Sequence, residues 1–161
     1  MIRIRRNRLI LAWMLVYLLA SCGKAPVVDR FVEIPDRAWA YDFQPAFEIH
    51  VTDTTQAYRV FFNLRHSDTY KYANIFFKIH VSMPEGKIHT TERMELKLAE
   101  PDGRWTGKGG GNIYTHQHLI YDGYRLPDTG RYRFLIEQNM RENPLKQIVA
   151  AGLRIEEIAE P

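Results

Sequence analysis

The chain has 161 residues, 22 of them basic and 19 acidic, a net charge of +3 and a single cysteine. Residues 1–21 hold four arginines and no acid, so the remaining 140 residues carry 18 basic and 19 acidic groups, a net charge of −1. A surface this close to neutral excludes charge-driven nucleic-acid binding and a polybasic membrane patch, one cysteine excludes a disulfide framework, and the length suits one core rather than two domains.

The first element in chain order is an export signal. Arg3, Arg5, Arg6 and Arg8 form a basic start, and residues 9–19 are apolar apart from the hydroxyl of Tyr17. Small residues and Cys22 follow. The apolar run is too short to span a bilayer, which takes about 20 such residues, and its order is that of a cleavable signal. Leu19-Ala20-Ser21-Cys22 resembles a bacterial lipobox. That resemblance implies cleavage before Cys22, a diacylglycerol on its sulfur and an acyl chain such as palmitate on its new amine, with no other cofactor. Residues 1–21 are therefore expected to be a signal peptide, 22–29 an acylated cysteine with its tether, and 30–161 the folded domain.

That domain alternates in period two, the mark of strands with one buried face. Phe47-Ile49-Val51, Tyr58-Val60-Phe62-Leu64, Ile75-Phe77-Ile79-Val81, Met94-Leu96-Leu98, Tyr132-Phe134-Ile136 and Leu153-Ile155 are the apolar rows. Between them lie Asp53-Thr54-Thr55-Gln56, Pro84-Glu85-Gly86-Lys87, Pro101-Asp102-Gly103 and Pro127-Asp128-Thr129-Gly130. Proline presets φ there, aspartate bonds its own backbone, and glycine accepts positive φ. Residues 143–150 have room for one helical turn, limited by Pro144, Ile148 and Val149. The expected fold is all-β: a two-layer antiparallel sandwich, Ig-like or jelly-roll-like, of about seven or eight strands, with a closed barrel as the rival. Phe47, Ile49, Val60, Phe62, Phe77, Ile79, Leu96, Phe134, Ile136, Leu153 and Ile155 are the expected core.

Chemistry-bearing patterns are few. Gly107-Lys108-Gly109-Gly110-Gly111-Asn112 does not make a phosphate loop: the glycine spacing is wrong, Gly109 stands where a magnesium-binding hydroxyl belongs, and no helix follows. Its plainer reading is a flexible loop or a strand edge where two backbones approach closely. His116 and His118 share a strand face, yet no third ligand accompanies them, so they read as exposed strand histidines and no metal site is expected. His50, His66, His80 and His89 read as polar-face residues. No nucleophile elbow is present, and Asp36, Asp42, Asp53 and Asp122 fall in turns, so an enzyme is not expected. Trp39, Tyr41 and Phe43, and the group Trp105, Tyr114, Tyr121 and Tyr124, read chiefly as core. An exposed coplanar set would instead stack on a sugar ring or anchor a protein.

Several segments resemble the gliding-motility lipoprotein family GldH: the lipobox, residues 47–55 (FEIHVTDTT), 101–109 (PDGRWTGKG), 132–141 (YRFLIEQNMR) and 152–156 (GLRIE). The resemblance spans nearly the whole chain and brings no catalytic motif. It implies a lipid-anchored, non-enzymatic part of the gliding machinery, which is linked to a dedicated secretion system. Envelope proteins are the implied partners, and a carbohydrate-binding envelope lipoprotein is the alternative. Gly23 and the non-acidic Lys24-Ala25-Pro26 imply the outer membrane, facing the periplasm. The candidate partner-binding residues are Trp105, Gly107, Lys108, Gly109, Gly110, Gly111 and Tyr114. Their glycines leave backbone groups open to an added strand.

Overall fold

The computed structural model describes residues 25–83 and 85–159, and Cys22 with the signal lies outside them. Eleven strands form among the described residues: β1 (Val28–Glu33), β2 (Ala38–Trp39), β3 (Ala46–Val51), β4 (Ala57–Ser67), β5 (Asn74–Ser82), β6 (Ile88–Lys97), β7 (Lys108–Gly110), β8 (Ile113–Arg125), β9 (Gly130–Gln138), β10 (Leu145–Lys146) and β11 (Ile148–Glu157). The only helical segment among the described residues is the short 3₁₀ turn Pro35–Arg37.

Three sheets result, in the orders β1-β11-β4-β8-β7, β3-β9-β5-β6 and the small pair β10-β2. Every pairing is antiparallel. The two large sheets pack face to face, with the rings of Phe62 on β4 and Phe77 on β5 stacked at 4.0 Å between centroids. All eleven residues expected in the core are buried. They lie there because each long strand of the sheet centres keeps one face dry, which the period-two rows encode. The β10-β2 pair adds two further core residues, Trp39 and Leu145. Trp39 is fully buried there, donating from Nε1 to the Phe43 carbonyl at 2.8 Å, while Gln138 Nε2 donates to the carbonyls of Trp39 and Glu142.

The architecture is the expected sandwich with more strands than seven or eight. Strands β2, β7 and β10 have two or three residues each, too few to show a period. Strand β1 begins at Val28, inside the segment read as tether, and pairs with β11 from Val28↔Ile155 to Glu33↔Ala150. Residues 143–150 form no helical turn: β10 and the start of β11 occupy them.

Candidate functional site

The glycine-rich segment crosses from one sheet to the other. After β6 the chain turns over residues 101–103 and returns as Trp105, bridged to Ala99. Thr106 donates to the Leu98 carbonyl from its backbone nitrogen at 2.9 Å and from Oγ1 at 3.0 Å. Gly107 then carries the chain into β7, which pairs with β8 through Lys108↔Thr115, Gly109↔Tyr114 and Gly110↔Ile113. Gly111, at φ 75, takes the first central position of the two-residue turn, where a primed hairpin turn favours glycine.

Two of these glycines are required by close approach. A Cβ on Gly107 would stand 2.6 Å from His116 Nε2, and one on Gly109 would overlap the Ile113 carbonyl oxygen. A Cβ on Gly110 or Gly111 would meet nothing within 4 Å. The strand-edge reading of this segment therefore applies to Gly107 and Gly109, and the open backbone to the hairpin tip.

Behind the segment lies a histidine pair. Period two runs through Tyr58, Val60, Phe62 and Leu64 into His66, so His66 points inward and is fully buried. This corrects its reading as a polar-face residue. His116 is also buried rather than exposed, because the crossing chain at Gly107 lies on its ring. The two Nε2 atoms are 3.0 Å apart. His66 Nδ1 donates to the Ser67 carbonyl at 2.8 Å, which leaves its Nε2 as the acceptor in the neutral pair. Burial lowers the pKa of both rings, and burial followed by the neighbouring His66 takes His116 to about 4. Trp105 packs edge-on against His66 at 4.5 Å, and Tyr70 and Tyr114 lie 5.3 and 5.8 Å from the same ring. Among the described residues no three His, Cys, Asp or Glu side chains are placed to share a metal ion.

His118 is exposed and opens, with His116, onto a cleft of about 490 Å³. Leu96, Lys97, Thr106, Lys108 and Gln117 also line it, and no acid does. Farther along β8, Tyr121 and Tyr124 stack at 4.5 Å. Burial, then the carboxylate of Glu92 on β6, raises both phenols, Tyr124 to about 12. Glu92 thus lies near both phenols. Trp105, Tyr114, Tyr121 and Tyr124 are all half-buried, and Tyr41 is the only aromatic among the exposed large apolar side chains described. The coplanar exposed platform that sugar stacking needs is not formed by these rings.

The arrangement is a shaped cleft beside a short hairpin, lined by Lys97, Lys108, His116 and His118. The profile of the GldH lipoprotein family matches residues 26–155. This chain belongs to the GldH lipoprotein family. It is 30% identical over 148 residues to the gliding motility lipoprotein GldH homolog of Christiangramia forsetii, covering 88% of this chain and 90% of that one. To the gliding motility lipoprotein GldH of Flavobacterium johnsoniae it is 31% identical over 147 residues, covering 87% and 90%. GldH is a family of gliding-motility lipoproteins rather than an enzyme family. Among solved structures, a cellulose-specific carbohydrate-binding module of family 28 overlaps with a TM-score of 0.45 at 6% identity, over 86% of this chain and 78% of that one. A likeness at that level assigns no ligand.

Proposed function

We propose that this GldH-family protein is a lipid-anchored, non-enzymatic accessory component of the gliding machinery and of the secretion system linked to it. The observation that carries the reading is the family match over residues 26–155, nearly the whole sandwich, directly behind the Leu19-Ala20-Ser21-Cys22 lipobox. Cys22 carries the diacylglycerol and the acyl chain. One acyl chain binds a bilayer marginally, at about 0.8 kcal/mol per buried CH₂, whereas two or more anchor a protein stably. The domain sits on the outer membrane facing the periplasm, a placement supported by Gly23 and the non-acidic Lys24-Ala25-Pro26. Its partners are envelope proteins, met by the segment 105–114 with its hairpin tip and cleft.

Affinity purification of the acylated protein from native membranes tests the role: gliding or secretion components should co-purify, and recovery of the protein alone would refute it. The anchor is tested by Cys22→Ala, which should leave an unprocessed precursor or release the domain from the membrane. A Cys22→Ala protein of mature size that stays membrane-bound would show that Cys22 is not the anchor. Protease added to intact cells should spare the domain, and its digestion without lysis would place it on the cell surface.

A further inference from the structure

We propose that the open row of β8 beside Lys108 receives the carboxy-terminal strand of a partner protein, antiparallel to β8, with its terminal carboxylate against Lys108. The proposal rests on the partner-binding reading above and gives it a site and a ligand chemistry.

The row exists because β7 is short. It covers β8 only at Ile113, Tyr114 and Thr115, while β8 runs on to Arg125. From residue 117 onward β8 has β4 on one side and, among the described residues, no strand on the other. In an antiparallel ladder alternate residues turn their N–H and C=O groups away from a given neighbour, so half of those groups in residues 117–121 face the empty row. The register shift between Leu119 and Tyr121 bends β8 and sets the far limit. The cleft of about 490 Å³ adjoins the start of this stretch, beside Lys108, and is lined there by Gln117 and His118 of β8 and by Leu96 and Lys97 of β6. The neighbouring edge of β6 is less suited to a guest. Its residue Glu92, in register with Ile79, places an exposed carboxylate on the face of that edge that Ile79 occupies in β5, and charges on an edge strand discourage strand addition.

The direction and the end of the guest follow from what borders the row. An antiparallel guest runs the same way as β7, so its last residue comes up against Lys108. The protein's own chain fills the row from there, and the guest must stop. A parallel guest would bring its amino terminus to the same place. The charges choose between the two: Lys97 and Lys108 line the cleft with His116 and His118, and no Asp or Glu does. Lys97 is paired with Glu100 at 2.7 Å, whereas Lys108 is exposed and in no ion pair among the described residues. Lys108 is therefore the cation available for a terminal carboxylate, and a charge-assisted contact at the end of a short ladder fixes both register and polarity.

The test titrates the full acylated protein, ¹⁵N-labelled in detergent, with acetyl-Thr-Val-Thr-Val-Thr-Val bearing a free carboxylate and with the same peptide as its amide. The acid peptide should slow amide exchange within residues 117–121 and bind at least about tenfold tighter than the amide. In Lys108→Gln, an exposed change that should leave the spectrum otherwise intact, the two peptides should bind alike. The proposal is overturned by equal affinity of acid and amide, by a preference that survives Lys108→Gln, by protection on β1, β3 or β6 instead, or by no binding at millimolar acid peptide. The two readings fail separately. Native partners that co-purify undiminished with Lys108→Gln leave the assembly role standing and remove the site, whereas peptide binding without any native partner does the reverse.

Discussion

With 3.0 Å between their Nε2 atoms, His66 and His116 have room for one N–H between the rings. The Ser67 carbonyl holds the Nδ1 proton of His66, so a second added proton sets two N–H groups against each other. Burial already disfavours either charge, and the His116 pKa falls from 6.5 to about 4. The consequence for stability has a definite sign. Above pH 6.5 both states are neutral at this site and the full stability is present. As the pH falls from about 6.5 towards 4 the unfolded chain takes up protons that the native pair refuses, and stability is lost. The loss should reach about 1–3 kcal/mol by pH 4.5. In His116→Gln it should be at least halved, the remainder belonging to His66, whose pKa is also lowered by burial. Urea unfolding at pH 7.5 and 4.5 checks this, and an equal loss in both proteins would show that other groups govern the acid limb. The inward direction of His66 was legible in the chain, since the even-numbered row from Tyr58 to Leu64 continues into it. Its partner was not, because His116 meets it across fifty residues of sequence and is covered by the crossing chain at Gly107 and by the His66 ring itself.

The β7–β8 hairpin shows how neighbouring glycines on one element differ. Gly109 has the Ile113 carbonyl where a side chain would go, and Gly110 has open space. Gly109→Ala should therefore force the two strands apart and cost about 1–3 kcal/mol. Gly110→Ala, in a strand conformation without positive φ, should be neutral or stabilising by about 0.4–1 kcal/mol, since alanine restricts the unfolded chain. Thermal melts of the two variants check this, and equal melting temperatures would mean that the hairpin is not closely packed at Gly109. Element by element, legibility followed burial. Strand β5 buries every second residue and reads directly from sequence. Strand β8 has an open edge over most of its length, so both its faces meet water in places and strict alternation is lost. Edge position, which no single segment encodes, is what hid the longest of the described strands.

At the scale of the molecule, stability rests on the layer where the two sheets meet. The chain's only cysteine is Cys22, so no disulfide supports the sandwich. Nor is any helix layered on it among the described residues. The apolar rows show this layer in the sequence because sheet-centre strands must bury one face whatever their order. The order itself, with β11 between β1 and β4 and β9 between β3 and β5, depends on pairings distant in sequence and leaves no local trace. Phe134 is where the load on that layer is most directly tested. It lies on β9, fully buried, paired with Phe47 of β3 on one side and Val81 of β5 on the other. Truncation leaves a void with both cross-strand neighbours fixed by their ladders, so the site has little freedom to collapse. Phe134→Ala should cost about 3–5 kcal/mol, a large share of the typical total of about 5–15, and lower the melting temperature by about 10–20 °C. The outwardly directed Arg133→Ala on the same strand, exposed to solvent, should shift it by only a degree or two, as surface changes do. If Phe134→Ala melted with Arg133→Ala, the two faces of β9 would have been assigned the wrong way round. Since β9 is paired on both edges, that error would propagate to β3 and β5 and invert the layer.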